Sequence, residues 1–287
     1  MARGNAFITG ASRGIGRASA LALAEKGFDI VVTARTVKEG EKRDYAATSA
    51  ESGLIALPGS IERTAEEVRA LGRKALPIRL DLMDEGTIDS AVERALAEWG
   101  GIDVLLNNGI YQGPGLMEPF LEIPQDAMHK IFRGNVFAQL HLTQKVVAHM
   151  LDHGGGTIIN MTSGSALLDP PAPTGKGGWG FAYAASKGAF TRMAGILNAE
   201  FGDRGIRAFN LNPGYVLTEA QKALHPDGED PPYLKHYKGA PAEVPAAVIA
   251  WLASDPEADE FLGEPVDALR WCAKKQLVPG WPPPKQP

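Results

Sequence analysis

Short apolar runs rich in β-branched residues alternate with amphipathic stretches of helical period along most of the chain. The strand-like runs cover residues 6–9, 30–33, 76–80, 104–106, 157–161 and 207–211. The helical stretches cover residues 14–26, 61–72, 86–99, 125–152 and 182–203. Parallel strands need long crossover connections, and each right-handed crossover packs its helix back onto the sheet. The alternation therefore predicts an α/β fold, a doubly wound parallel sheet flanked by helices on both faces in a single domain.

Charge and cysteine content limit the classes of partner. The 287 residues include 29 basic and 34 acidic side chains, for a formal charge of -5. No basic surplus can follow a phosphate backbone, so we expect no nucleic-acid partner and a local site for any anion. The single cysteine, Cys272, cannot close an internal disulfide, and no ligand spacing indicates a metal site. Without a signal-peptide pattern or a membrane-length apolar window, we expect a soluble cytoplasmic protein and no membrane partner.

Three glycines follow the first predicted strand, in the segment Thr9-Gly10-Ala11-Ser12-Arg13-Gly14-Ile15-Gly16. Gly10 permits a tight turn, Gly14 lets a pyrophosphate approach the backbone, and Gly16 allows close packing of helix on strand. The N-terminus of the following helix offers N–H groups and a positive dipole to an anion. A glycine triplet also serves as a plain tight turn, but the flanking strand and helix favour a dinucleotide site.

Arg35 and Thr36 stand at the end of the second predicted strand, where an NAD site carries an acidic residue for the ribose 2′-hydroxyl. A guanidinium suits a 2′-phosphate instead, and Arg13 in the glycine turn can flank the same phosphate. The sequence therefore favours NADP(H) over NAD(H). The alternative is that both arginines are solvated surface residues.

Tyr183 and Lys187 lie four residues apart at the start of a predicted helix and so share one face. A phenol is a poor acid or base at neutral pH, but a nearby cation favours the phenolate and lowers its pKa. Ser163 follows the strand at 157–161, at the sheet edge where ligands bind, and its hydroxyl can donate to a substrate carbonyl. Taken singly, these residues also suit an ordinary surface helix and a turn.

In combination, these motifs resemble the short-chain dehydrogenase/reductase family, of the compact type with a Rossmann-type fold. Asp81 and Leu82 resemble the adenine-side pair after the third strand. Asn107, Asn108 and Gly109 resemble the Asn-Asn-Ala-Gly segment after the fourth strand, with Gly in place of the usual Ala. The resemblance runs from about residue 5 to residue 266.

The resemblance implies a set of cofactor-binding residues. They are Gly10, Ser12, Arg13, Gly14, Ile15, Gly16, Arg35, Thr36, Asp81, Leu82, Asn107, Asn108, Gly109, Tyr183, Lys187, Pro213, Gly214, Val216 and Thr218. Within this set, Val216 and Thr218 would contact the nicotinamide amide.

The resemblance also implies a catalytic relay. Tyr183 would exchange a proton with the substrate oxygen, Ser163 would hydrogen-bond that oxygen, and Lys187 would lower the pKa of Tyr183 and hold the ribose hydroxyls. Asn135 matches the helix asparagine that holds a water in the relay. The implied reaction is hydride transfer between NADP(H) and a carbonyl or secondary alcohol. An NADP(H)-binding sensor subunit and a non-redox epimerase or dehydratase on the same fold are the alternatives.

The implied organisation is one NADP(H)-binding domain that associates with copies of itself. The parts are the domain at 1–270, an insert at 37–60, a substrate lid at about 217–240 and a C-terminal tail at 271–287. By the same resemblance we expect homodimers or homotetramers built on the helices at 125–152 and 182–203.

Two long segments depart from the family pattern. The insert 37–60 replaces a short connection, and its basic residues Lys38, Lys42 and Arg43 are candidates to assist the 2′-phosphate. The Pro- and Gly-rich loop at 167–180 lengthens the spacing between Ser163 and Tyr183, so it should border the substrate. The insert, the segment Leu262-Gly263-Glu264 and the tail from Trp271 to Trp281 together resemble hydroxysteroid-dehydrogenase-like members of the family.

Aromatic and apolar residues near these loops predict a hydrophobic small-molecule carbonyl or alcohol substrate. The candidate pocket residues are Tyr111, Met117, Trp179, Phe181, Tyr215 and the stretch 217–237. His225 and His236 in that stretch are candidates to contact substrate, but they lack the spacing of metal ligands.

Overall fold

A computed structural model describes residues 3–45, 48, 53–219 and 239–283 of the chain. The strands in these ranges are β1 (Gly4–Thr9), β2 (Phe28–Ala34), β3 (Lys42–Asp44), β4 (Leu54–Ala56), β5 (Ala75–Arg79), β6 (Val104–Asn107), β7 (Gly156–Met161), β8 (Ile206–Asn212) and β9 (Pro265–Asp267). Seven of them form one parallel sheet in the order β5-β2-β1-β6-β7-β8-β9. The order turns back at β1, as in a doubly wound fold, so the predicted fold class is confirmed.

The six strands predicted from the sequence are all present, and β9 is a seventh that the sequence did not reveal. It has three residues, begins with Pro265 and pairs with β8 at the edge of the sheet. Three residues are too few to show an apolar alternation. Proline has no N–H to donate, and it is tolerated at this edge because no further strand pairs with β9.

Helices cover both faces of the sheet. They are α1 (Gly14–Glu25), α2 (Ile61–Ala70), α3 (Glu85–Trp99), α4 (Gln125–Phe132), α5 (Ala138–Asp152), α6 (Phe181–Phe201), α7 (Glu243–Ser254) and α8 (Ala268–Lys275). The predicted helix at 125–152 is therefore two helices, joined by a π-helical turn at Arg133–Phe137. Helix α7 was not predicted, because it is buried over most of its surface against α1 and α8 and so has no polar face to set a period. Among the described residues, no helix has the length and apolar character that a bilayer span requires.

Within the insert 37–60, β3 and β4 pair as a small antiparallel hairpin, separate from the main sheet. The sequence predicted only a polar, weakly patterned segment there. β3 and β4 are each three residues long, and all three residues of β4 are exposed. The segment therefore shows no alternation of apolar and polar side chains that would predict a strand.

The two faces of the sheet bury different side chains. Ile8 and Leu106 point to the side covered by α1, α2 and α7. Phe7 and Leu105 point to the side covered by α3, α5 and α6. These neighbours are in register between β1 and β6, so the period-two alternation fills both layers with fully buried side chains.

Helix α1 approaches the end of β1 very closely at Gly16. A Cβ atom there would overlap the Gly10 carbonyl oxygen and lie 2.6 Å from the Asn108 side-chain nitrogen. Both obstacles are fixed, since one is backbone and the other is an amide held by hydrogen bonds. Only glycine fits at this point.

Gly16→Ala should therefore destabilise the protein, by about 1–3 kcal/mol, because helix and strand must move apart. Gly202→Ala is the matched control, since Gly202 has helical torsions (φ -60°, ψ -39°) and no described atom lies within 4 Å of where its Cβ would stand. That variant should be neutral or gain up to about 1 kcal/mol. Urea unfolding of both variants measures the difference, and equal stabilities would contradict the close contact.

Candidate active site

A cleft of about 450 Å³ opens along the carboxyl edge of the main sheet. The glycine turn and the segments after β2, β5, β6, β7 and β8 line it, as expected for a ligand site at the switch point of a doubly wound sheet. Every cofactor-binding residue predicted from the sequence lines this cleft except Asn107. Of the four predicted relay residues, Tyr183 and Lys187 line it, while Ser163 and Asn135 are not among the lining residues.

The glycine turn is shaped to hold an anion. Gly10 and Gly14 have φ values of 67° and 53°, in the left-handed region that favours glycine. The Gly14 N–H donates to the Glu219 carboxylate over 3.2 Å, and the Arg17 guanidinium lies 3.6 Å from the same carboxylate. A negative group therefore already lies at the N-terminus of α1. The turn fits the pyrophosphate of a dinucleotide by the same chemistry.

Thr9 and Asn108 fasten the glycine turn to the end of β6. The Thr9 hydroxyl accepts the N–H groups of Asn108 and Gly109 over 3.0 and 2.8 Å. The Asn108 side chain donates to the carbonyls of Thr9 and Gly10 over 2.9 and 3.2 Å. At Gly109, a Cβ atom would lie 3.2 Å from the Thr9 side chain, so the turn is tight where the family usually has Ala.

Asn107 does not line the cleft, unlike the other cofactor-binding residues predicted from the sequence. Its side chain donates to Thr143 on α5 and to Asn160 on β7, over 2.9 and 3.0 Å. Asn160 is in register with Asn107 on one side and with Asn210 on the other. The Asn107 amide is therefore used between strands, where it sets the relative position of their ends.

Arg13 lines the cleft, but its guanidinium is engaged by the insert. Nε donates to the Pro58 carbonyl over 2.8 Å, Nη2 to the Gly59 carbonyl over 2.9 Å, and Nη1 to the Tyr45 hydroxyl over 2.6 Å. The Arg35 guanidinium, in contrast, makes no hydrogen bond or ion pair with the described residues and lies 5.8 Å from the Tyr45 ring centroid. Arg35 is thus the cation available at the end of β2.

The other basic residues of the insert do not reach the cleft. Arg43 pairs with Glu41 over 2.6 Å and donates to the Arg35 carbonyl. Lys38 and Lys42 are exposed to solvent. None of these three side chains lines the cavity, so the structure does not support their assistance to a 2′-phosphate.

Ser163 lies beside the Tyr183 phenol, close enough to affect its pKa. Ser163 caps the short helical turn Gly164–Ala166, and its oxygen accepts the Ser165 N–H over 3.2 Å. The hydroxyl proton of Ser163 is thereby left to donate. Burial raises the pKa of the Tyr183 phenol, and the neighbouring Ser163 side chain opposes that rise.

Lys187 is 7% exposed, and its ammonium group donates to the Met161 carbonyl over 2.6 Å. Burial lowers its pKa from 10.5 to about 8. The predicted lowering of the Tyr183 pKa by Lys187 is not seen, because burial dominates at both groups and favours their neutral forms.

Asn135 occupies the π-helical turn between α4 and α5 and is 4% exposed. Its side-chain oxygen accepts the Tyr111 N–H over 2.7 Å, and its nitrogen donates to the Tyr111 carbonyl over 3.3 Å. The side chain therefore clamps the segment after β6. Such π turns displace backbone hydrogen bonds and are frequent at functional sites.

The predicted substrate residues divide between two cavities. Tyr111, Met117 and Tyr215 line the cleft. Trp179 and Phe181 instead line a neighbouring groove, together with part of the loop at 167–180. The loop therefore borders this second groove rather than the cleft itself.

Most of the predicted lid lies outside the described residues, and so do His225 and His236. Its first residues are held in place, because the Leu217 N–H donates to the Ala240 carbonyl over 2.9 Å.

Several supporting residues were missed from the sequence. Gln139 is buried one turn after Asn135 and donates to the Gly109 carbonyl over 2.7 Å. Asn212 accepts the N–H groups of Gly164 and Gly214, each over 3.2 Å, and so joins the ends of β7 and β8. The spacing of Gln139, four residues after Asn135, was a usable signal.

The chain matches the family model for short chain dehydrogenases over residues 4–59 and 51–229. It belongs to this family. An uncharacterized oxidoreductase of Methylorubrum extorquens is 31% identical over 274 residues, covering 92% of this chain and 95% of that protein. L-rhamnose 1-dehydrogenase (NAD(P)(+)) of a Sphingomonas species is 28% identical over 255 residues, covering 87% and 88%.

Solved structures agree with this assignment. The structure of 7 alpha-hydroxysteroid dehydrogenase complexed with NADH and 7-oxo glycochenodeoxycholic acid is 25% identical, with a TM-score of 0.72. The match covers 93% of this chain and 92% of that one. Membership of the family makes this chain an oxidoreductase of the alcohol and carbonyl class that uses a nicotinamide cofactor.

The lowered pKa of Lys187 predicts how stability depends on pH. Folding disfavours the charged amine, so the unfolded state binds more protons between pH 8 and 10.5, and wild-type stability rises with pH across that window. Lys187→Met lacks this contribution. Its stability relative to wild type should therefore fall by about 2 kcal/mol between pH 7 and pH 10. Urea unfolding of both proteins at both pH values tests this, and a constant difference would contradict the burial effect.

Proposed function

We propose that the protein is an NADP(H)-dependent oxidoreductase that transfers a hydride between the nicotinamide and a carbonyl or secondary alcohol. The observation that carries this proposal is that a dinucleotide-type turn and the Tyr183–Lys187 pair line one and the same cleft. Ser163 lies beside the Tyr183 phenol and opposes the rise in its pKa.

Different residues of the cleft would contact different parts of the cofactor. The turn at Gly10 and Gly14 would hold the pyrophosphate, and the segment at Asp81 would border the adenine. Val216 and Thr218 would lie beside the nicotinamide amide. When bound, the nicotinamide supplies or accepts the hydride.

Tyr183 would donate a proton to the substrate oxygen in carbonyl reduction. Its raised pKa keeps the phenol protonated at neutral pH, which is the form that donates to a substrate oxygen during carbonyl reduction. Ser163 would donate its hydroxyl proton to the same oxygen as negative charge develops there. Lys187 would hold the cofactor ribose and return a proton to Tyr183, and Asn135 would support this relay by fixing the segment at Tyr111.

We favour NADP(H) because Arg35 supplies a cation where β2 ends, with no carboxylate partner among the described residues. An NAD site needs an acidic side chain at this position to accept the 2′-hydroxyl, and here the strand ends in Arg35 and Thr36. A 2′-phosphate would instead pair with the guanidinium.

The substrate is proposed to be a hydrophobic carbonyl or alcohol, because Tyr111, Met117 and Tyr215 line the cleft beyond Tyr183. Association into dimers or tetramers would cover the exposed apolar side chains of Phe137, 57% exposed, and Ile196, 52% exposed. A cytoplasmic location is part of the same proposal.

Tyr183→Phe should reduce turnover at least about a hundredfold, because the phenyl ring has no proton to exchange. NADPH affinity should stay within about twofold, because the cofactor turn is untouched. Turnover is followed by NADPH absorbance with a panel of ketones, and affinity by fluorescence titration.

The control is Ser90→Ala, which also removes one hydroxyl but on the exposed side of α3, away from the cleft, and it should leave turnover unchanged. Undiminished turnover in Tyr183→Phe would exclude this mechanism.

A further inference from the structure

Tyr45 is a cleft residue contributed by the insert. It follows β3 directly, is 9% exposed, and lines the cavity beside Arg35 and Thr36. Its hydroxyl lies 3.3 Å from the Thr36 hydroxyl. The insert therefore places a phenol at the end of β2, where a cofactor ribose carries its 2′-substituent.

Arg13 fixes this phenol in place. Its guanidinium binds the backbone of the insert at Pro58 and Gly59 and donates to the Tyr45 oxygen over 2.6 Å. The insert also packs closely against the glycine turn. A Cβ atom at Gly59 would overlap the Ser12 carbonyl oxygen. Arg13 thus uses its hydrogen bonds to hold the insert and Tyr45, while its side chain also lines the cleft.

The hydrogen-bond direction decides what Tyr45 can offer a ligand. Since its oxygen accepts from Arg13, the hydroxyl proton can be donated either to the Thr36 hydroxyl or to a ligand, and phosphate oxygens are the stronger acceptors. The guanidinium carbons of Arg13 and Arg35 lie 5.3 and 5.8 Å from the Tyr45 ring centroid. Two cations therefore flank one donor.

The nearby carboxylates of the insert do not oppose an anion there. Glu39 accepts the Gly59 N–H over 3.0 Å, and Glu41 pairs with Arg43. Neither of these side chains lines the cleft, and neither does that of Asp44, which directly precedes Tyr45. The group at the end of β2 thus presents hydroxyls and positive charge to a ligand.

We propose that Tyr45 is a cofactor-specificity residue, whose hydroxyl donates a hydrogen bond to the 2′-phosphate of NADP(H) while Arg35 supplies the neutralising charge. This inference rests on the proposed NADP(H) function. By this proposal the insert contributes to cofactor binding, since Tyr45, directly after β3, would donate a hydrogen bond to the substituent at the ribose 2′-position.

The test compares two variants with two pairs of ligands. Wild type, Tyr45→Phe and Arg35→Ala are titrated with NADPH and NADH, and with 2′,5′-ADP and 5′-AMP. Within each pair, the ligand with the 2′-hydroxyl is the internal control, so a general loosening of the cleft cancels in the ratio of affinities. Thermal unfolding confirms that each variant is folded.

Wild type should prefer NADPH by at least about tenfold. Tyr45→Phe should weaken NADPH and 2′,5′-ADP by about tenfold and leave NADH and 5′-AMP within about twofold. Arg35→Ala should reduce the preference for NADPH over NADH, and for 2′,5′-ADP over 5′-AMP, more than Tyr45→Phe does. If Tyr45→Phe does not fold, Tyr45→Leu removes the same hydroxyl and should show the same loss of ratio.

The failures are distinguishable. A wild-type preference for NADH would overturn both the proposed cofactor and the role of Tyr45. A wild-type preference for NADPH that Tyr45→Phe leaves unchanged, while Arg35→Ala abolishes it, would overturn the Tyr45 assignment alone. Equal weakening of both members of a pair would show that Tyr45 only supports the wall of the cleft, which also contradicts the proposal.

Discussion

The cleft depends on the contact between helix α1 and the end of β1 at Gly16. The helix meets the Gly10 carbonyl and the Asn108 amide there, with no space for a side chain. Because Asn108 also binds the backbone of Thr9 and Gly10, one contact joins β1, β6 and α1. It aims the first N–H groups of α1 into the cleft. A chain with a net charge of -5 thereby gains a local site for an anion.

Two parts of the cleft use different physical chemistry. Around the glycine turn, the cleft presents backbone N–H groups and arginine side chains. Around Tyr183 and Lys187, burial raises the pKa of the phenol and lowers that of the amine. Burial thus favours the neutral form of both groups and leaves the phenol proton available for transfer. The Met161 carbonyl holds the Lys187 ammonium group in place.

The sequence predicted the sheet, the glycine turn and most residues of the cleft, because these follow from local rules of apolar period and glycine spacing. It could not predict β9 or α7, since a three-residue edge strand and a helix buried on nearly all sides have no period to detect. Asn107 and Arg13 show a different limit. Their motifs place them correctly along the chain, but their side chains are used between strands or by the insert, and those partners are distant in sequence.

Transfer of deuterium tests the central claim most directly. The protein is incubated with NADPH that carries deuterium at both C4 positions of the dihydronicotinamide and with a panel of hydrophobic ketones, and the products are analysed by mass spectrometry. If the cleft performs hydride transfer, one deuterium appears on the new carbinol carbon, in step with NADPH consumption. Product that contains no cofactor-derived deuterium, or turnover without net NADPH consumption, would contradict the account and favour a net-neutral reaction on the same fold.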